Sequence, residues 1–166
     1  MLEWTRVKVL DGVDLRLVTS ASGIRAIQFD PLPVSEWPRN DRNPLLLEAA
    51  CQLRAYFAGQ LREFQLPLDI EGTGFQKRVW GQVAAIPYGE TRSYLQIAAA
   101  MGSPGAVRAV GAANGANPVP IVVPCHRVIG ANGKLVGYGG GLAMKKRLLE
   151  LEGAVAQRLA LQDSYT

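Results

Sequence analysis

Residues 93–127 read SYLQIAAAMGSPGAVRAVGAANGANPVPIVVPCHR, and the punctuation of this stretch decides the architecture. Ser93 opens an alanine-rich run that predicts a short helix over residues 93–101. Gly102-Ser103-Pro104-Gly105 cannot continue it and reads as a tight turn. A second short helix follows over about 106–114. Two short helices on a turn of this size predict a helix-turn-helix. Asn117-Pro118 ends the pattern, and the apolar run 119–123 reads as a buried strand leading to Pro124, Cys125, His126 and Arg127.

Downstream, a loop rich in glycine (Gly130, Gly133, Gly137, Gly139, Gly140, Gly141) precedes a last helix over residues 142–152, closed by Gly153. The residues beyond it read as a frayed tail. Upstream, Phe75, Val79 and Val83 recur at helical spacing until Pro87-Tyr88-Gly89 stops them. Glu71-Gly72-Thr73-Gly74 is a boundary. Before it the chain changes character. Val7, Val9, Val13, Leu15 and Leu17 alternate with polar neighbours around Asp11-Gly12, and Ala26-Ile27-Gln28-Phe29 follows Ser22-Gly23, which predicts strands joined by turns. Pro31, Pro33 and Pro38, with Trp37 among them, mark an irregular connector. Asn43-Pro44 then opens a helix with a cap residue and proline in the first turn. Leu45, Leu46, Ala49, Leu53, Tyr56 and Phe57 share one face of it, and Cys51 falls on the other. Residues 64–70 read as one more strand. The expected fold class is α/β with two lobes. Residues 1–72 form a small antiparallel-sheet lobe, and residues 73–166 a helical lobe carrying the helix-turn-helix.

Composition bounds what such a chain does. Of 166 residues, 48% are hydrophobic and 19% charged, the profile of an ordinary globule rather than a disordered chain. No apolar run is long enough for a membrane span, and Met1-Leu2-Glu3-Trp4-Thr5 lacks the order of a signal peptide. Two cysteines are too few for a disulfide framework, and one histidine too few for a zinc site of mixed ligands. The expected compartment is reducing and intracellular. A net charge of +4 permits a polyanionic partner without demanding one.

Chemistry concentrates at Cys125. A free cysteine is usually a small buried hydrophobe, but histidine and arginine beside it lower a thiol's pKa toward the nucleophilic thiolate. Successive side chains on an extended strand point to opposite faces. His126 therefore reaches the sulfur only if the chain turns at Pro124-Cys125, or through a water. A cysteine–histidine pair also needs a third group to orient the imidazole. Glu152 is a candidate, since it sits in the last helical turn, where the macrodipole disfavours a carboxylate. Its bland alternative is a solvated helix end, a description that suits Glu150 well.

The run Asn117-Pro118-Val119-Pro120-Ile121-Val122-Val123-Pro124-Cys125-His126-Arg127-Val128-Ile129 resembles the active-site segment of the O6-alkylguanine-DNA alkyltransferases. Supporting stretches follow the same order: Phe75-Gln76, Val79-Trp80, Ile86-Pro87-Tyr88-Gly89-Glu90-Thr91, Ser93-Tyr94, Arg108-Ala109-Val110-Gly111, Gly137-Tyr138-Gly139-Gly140-Gly141 and Leu148-Leu149-Glu150-Leu151-Glu152-Gly153. The resemblance is continuous from about Thr73 to Gly153 and weaker upstream.

It implies a DNA repair protein that moves an alkyl group, a methyl for example, from guanine O6 irreversibly to its own cysteine, without a cofactor. By motif, Cys125 is the acceptor, His126 the base acting through a water, and Glu152 its orienting partner, with Asn117 at the turn before the active-site segment. Tyr94 helps rotate the nucleotide and hydrogen-bonds the guanine, and Arg108 fills the space the flipped base leaves. Tyr138 lines the pocket with Gly139 and Gly140. The implied partner is double-stranded DNA containing O6-alkylguanine, met through the minor groove by a monomer. The implied location is the cytoplasm, with access to chromosomal DNA.

The residues agree on two points. A base inside a duplex is out of reach and must leave the stack, which needs a DNA-gripping element beside a pocket. The second helix of the pair also carries Arg108 as its only charge among alanine, glycine and valine, which suits contact that follows shape rather than sequence. Some family members hold zinc in the amino-terminal lobe; this chain offers only Cys51 there and holds no metal. Two rivals remain. One is a DNA-binding relative without chemistry, against which Cys125 argues. The other is a cysteine hydrolase, which would turn over rather than stop after one equivalent.

Overall fold

The computed structural model describes residues 1–32 and 34–154, and the chain divides into two compact units, Met1–Glu71 and a second starting at Gly72. Pro33 of the connector and the tail expected after the last helix lie outside the described residues.

The first unit is built on β1 (Glu3–Leu10), β2 (Val13–Thr19) and β3 (Ile24–Phe29), an antiparallel sheet in the order β1-β2-β3. Asp11-Gly12 makes the first hairpin because Gly12 takes φ 74°, which glycine adopts without steric cost. The register sets Val7 opposite Leu15 and Leu17 opposite Ile27, so the four share a face. Helix α1 (Pro44–Phe57) packs on β1 and β2 and buries Leu46, Ala49, Leu53, Tyr56 and Phe57. Each leucine so enclosed contributes about 1.5–3 kcal/mol. Asn43 caps the helix by accepting from the N–H groups of Leu45 and Leu46, and Cys51 is exposed.

Two expectations fail in this unit. Strand β2 does not alternate; it is buried from Leu15 through Thr19, Arg16 included. Trp4 of β1 covers Arg16, and the connector runs on the other edge of β1. Trp4 N–H donates to Pro38 O at 3.2 Å and Asn40 N–H to Trp4 O at 2.9 Å, so the connector lies along β1. The Arg16 guanidinium rests 4.7 Å from the centre of the Trp4 ring. Residues 64–70 are not a strand either, and form a single bridge between Leu68 and Ile24. Pro67 has no N–H to extend a ladder. Gln52 on α1 instead satisfies both backbone groups of Gln65, at 3.0 and 3.1 Å.

The second unit is helical. Helix α2 (Gly74–Ala84) opens on a capping box of Thr73 and Gln76, and α3 (Tyr94–Ala100) on one of Ser93 and Gln96. Gly102, at φ 74°, ends α3. A 3-10 turn, Pro104–Ala106, leads into α4 (Val107–Gly115), completing the two-helix motif. The indole N–H of Trp80 donates to Ala113 O at 2.8 Å and ties α2 to α4. Two short strands not foreseen from sequence, β4 (Arg92–Ser93) and β5 (Val128–Ile129), pair in parallel. They bring the start of α3 to the segment after Cys125. Helix α5 (Leu142–Leu151) closes the unit.

The run 119–123 is not the expected strand. Pro118, Pro120 and Pro124 deny it ladder donors. The chain coils instead, with Val123 N–H donating to Val119 O at 3.0 Å and Ile121 held at φ 76°. No helix among the described residues is long and apolar enough to cross a membrane.

Candidate active site

Asn117 shapes the approach to Cys125. Its Oδ1 accepts from Val119 N–H at 3.0 Å and its Nδ2 donates to Val123 O at 2.8 Å, pinning both ends of the coil. The chain then tightens into a 3-10 turn, Cys125–Arg127, in which all three side chains are buried. That turn is the bend His126 requires to leave the face opposite Cys125.

His126 Nε2 meets Glu152 Oε2 at 2.8 Å. Glu152 is the residue that ends α5, and it is buried at 6% exposure while Glu150, two residues back, is exposed. The carboxylate is not a solvated helix end. Because a carboxylate accepts, Nε2 carries the imidazole proton, and Nδ1 is a bare acceptor, buried and without a hydrogen-bond partner. Burial pushes the His126 pKa down; Glu152 opposes that shift, and the charges of Arg127 and Lys145 add to it. Burial pushes the Cys125 thiol up, against a hydrogen bond from the Asn117 side chain and the charge of Lys145. The thiol is therefore held protonated at neutral pH.

A cavity of about 450 Å³ opens beside this turn, within the size range of small-ligand sites. Tyr94, Val107, Gly111 and Asn114 line it from α3 and α4; Gly137, Tyr138 and Gly139 line it from the glycine-rich loop. Gly140 is not in the wall. Tyr94 Oη donates to Val136 O at 3.0 Å, and burial raises its pKa. The rings of Tyr138 and His126 meet edge to face at 6.5 Å. Cys125 is not itself a lining residue; its carbonyl accepts from Nδ2 of Asn114, which is one, at 3.3 Å. Arg108 is exposed, one residue along from the lining Val107.

The match to known proteins covers both units. Residues 14–70 correspond to the ribonuclease-like domain, and residues 74–154 to the DNA binding domain, of 6-O-methylguanine DNA methyltransferase. The methylated-DNA–protein-cysteine methyltransferase of Methanosarcina acetivorans is 57% identical over 144 residues, 87% of this chain and 88% of that protein. The chain belongs to the 6-O-methylguanine DNA methyltransferase family.

Its mycobacterial relatives are closer in sequence over a shorter stretch. The Mycobacterium tuberculosis H37Rv methylated-DNA–protein-cysteine methyltransferase is 65% identical over 104 residues, and the match spans 63% of that relative's length. A crystal structure of the Mycobacterium tuberculosis OGT in complex with DNA superposes with a TM-score of 0.81 at 45% identity, over 95% of this chain and 98% of that one.

Two side chains of this family member's site went unnoticed in the sequence. Lys145 is fully buried on α5, and its Nζ donates to the carbonyls of Val128 at 2.7 Å, Val136 at 3.0 Å and Gly137 at 3.4 Å. Asn114 is buried on α4. Each occupies a register position that on its helix faces inward, which was the available signal. Among the described residues no three His, Cys, Asp or Glu side chains gather as metal ligands.

Proposed function

We propose that this chain repairs DNA by taking an alkyl group, a methyl in the simplest case, from guanine O6 onto Cys125, once and irreversibly. The observation that carries this reading is the buried His126–Glu152 pair, with Cys125 buried in the same tight turn, beside a cavity lined in part by the helix-turn-helix. The names of the relatives support it.

The chemistry balances. Sγ attacks the alkyl carbon in line with the bond to O6, forming S–C as C–O6 breaks, and the bonding pair stays on the purine. The thiol proton passes through a water to the bare Nδ1 of His126, and Glu152 stabilises the imidazolium. The departing purine takes up one proton and becomes ordinary guanine. The thioether formed has no group nearby that could cleave it, so one chain acts once.

Reaching O6 requires the nucleotide to leave the stack, at about a few kcal/mol. Ala109, Ala112 and Gly115 of α4, with Ala116 just after it, are exposed small residues, which permit close approach to a groove. Arg108 among them fills the gap the base leaves. Tyr94 bonds the extruded base, and Tyr138 and Gly139 hold it against Cys125. The partner is double-stranded DNA containing O6-alkylguanine, met by a single copy of the chain, in the cytoplasm and without a cofactor.

Cys125→Ser should abolish transfer to an alkylated oligonucleotide and leave duplex binding largely intact, while Cys51→Ser changes neither. Transfer surviving in Cys125→Ser would overturn the assignment.

A further inference from the structure

The carboxylate of Glu152 serves two partners. Oε2 accepts from His126 Nε2 at 2.8 Å and from Arg127 Nη2 at 2.9 Å, and Oε1 accepts from Arg127 Nε at 2.8 Å. Arg127 is fixed from its other side as well. Nη1 donates to Ile86 O at 2.7 Å, and the guanidinium lies 5.6 Å from the centre of the Tyr88 ring. The His126 and Glu152 side chains are fully enclosed and that of Arg127 is 8% exposed. A forked guanidinium is a charge that does not titrate.

Neutral imidazole, carboxylate and guanidinium together carry no net charge. Without the guanidinium, the carboxylate would be an uncompensated buried ion, an arrangement costing several kcal/mol. The cheapest repair is to bind a proton, and the imidazole is the acceptor alongside. We infer that Arg127 is a positioning residue whose fixed charge stands in for that proton, holding His126 neutral with Nδ1 bare so that it can serve Cys125 as a base. The inference rests on the roles proposed above for Cys125 and His126.

The other groups around His126 do not replace Arg127. Lys145, from α5, is a cation of the same sign, but its Nζ bonds backbone carbonyls rather than Glu152. Tyr138, from the glycine-rich loop, presents its ring. Cys125, on the same turn, is the group to be deprotonated. The charge of Arg127 acts with burial to lower the His126 pKa. Removing a positive charge raises the imidazole's proton affinity, so the pH at which His126 is emptied moves up, and the rising limb of the transfer rate moves with it.

His126 is the only histidine in the chain, so its imidazole can be titrated by NMR without overlap. Wild type should be neutral at about pH 6.5, the ordinary histidine midpoint, with its proton on Nε2. In Arg127→Gln the titration should move up by at least about one unit, and transfer should fall ~tenfold more at pH 6 than at pH 9. Arg127→Lys, which keeps the charge and loses the fork, should fall between. An unmoved titration with transfer slowed equally at every pH would make Arg127 a structural strut and overturn the inference. If Arg127→Gln does not fold, wild type still decides, since an imidazolium at pH 6.5 or a proton on Nδ1 overturns it equally. A wild-type chain with the expected titration and no alkyl transfer would count against the proposed function instead.

Discussion

Glu152 and His126, 26 residues apart in the chain, meet at 2.8 Å with both side chains sealed from solvent. A carboxylate in that position is held by its partners and holds them. Glu152→Gln leaves Arg127 as a buried cation without its counter-ion, and should destabilise the protein by about 3–5 kcal/mol. It also removes the group that stabilises imidazolium, so transfer at neutral pH should slow at least ~tenfold. The deficit should shrink as pH rises toward the thiol's own pKa, where hydroxide replaces the histidine. A solvated helix end predicts the opposite sign, a slight gain in stability from removing a negative charge at the negative end of the helix. Urea unfolding and the pH profile of transfer separate the two.

Lys145 gives a stability effect with a definite pH window. Burial lowers its pKa from 10.5 to about 8, against the pull of Cys125. The unfolded chain therefore binds this proton more tightly than the folded one. Below about pH 8 the full cost of burying the ammonium is present, and between about 8 and 10.5 stability rises with pH as that cost is relieved. Compared with Lys145→Met, wild type should gain roughly 2–3 kcal/mol on going from pH 7 to pH 10. A gap that is the same at both values, measured by urea unfolding, would mean the ammonium is not desolvated.

Arg108 is exposed on α4, next to a residue of the cavity wall. If it fills the space left by the extruded nucleotide, Arg108→Ala should slow repair of duplex DNA by about tenfold or more, the equivalent of a lost contact of some 1.4 kcal/mol. Reaction with the free alkylated base, which needs no extrusion, should be unaffected. Equal slowing of both reactions would remove Arg108 from that role.

Much of this was legible before any coordinates. Turn residues and period-two alternation gave β1, β2 and β3, and the cap at Asn43-Pro44 gave α1. The turn between α3 and α4 was readable from Gly102 to Gly105. What local pattern could not show was long-range. Arg16 is covered by the Trp4 ring of the neighbouring strand, and the pairing of β4 with β5 joins residues 36 positions apart, Arg92 with Val128. Runs 64–70 and 119–123 had strand-like composition, but the prolines within them removed the donors a ladder needs. The site divides in the same way. Cys125 was a candidate by type, with His126 and Arg127 beside it, and Glu152 by its place at a helix end; their roles came from the family resemblance. Lys145 was not singled out, although Lys145, Leu148, Leu149 and Glu152 recur at i, i+3, i+4 and i+7, the inward stripe of α5, where a charge calls for a partner.

Gly23 tests the packing of the first unit. A Cβ there would stand 2.7 Å from the carbonyl oxygen of Pro67, a backbone atom with no room to yield. That carbonyl accepts from Ile24 N–H at 2.8 Å, so the two chains cannot separate without losing the bridge. Gly23→Ala should lower stability by about 1–3 kcal/mol, as overpacking does. Denaturant unfolding checks it, and a midpoint equal to wild type would show that the Pro67 segment shifts freely.

In the proposed function one sulfur, Cys125, accepts one alkyl group and keeps it. Intact-protein mass spectrometry after incubation with excess O6-methylguanine oligonucleotide, followed by peptide mapping, measures this directly. A single methyl-for-hydrogen increment per chain is expected, carried by the peptide containing Cys125 and absent from that containing Cys51, with repair ending at one equivalent. Repair continuing beyond one equivalent with an unmodified thiol at position 125, or a methyl group on any other residue, would contradict it.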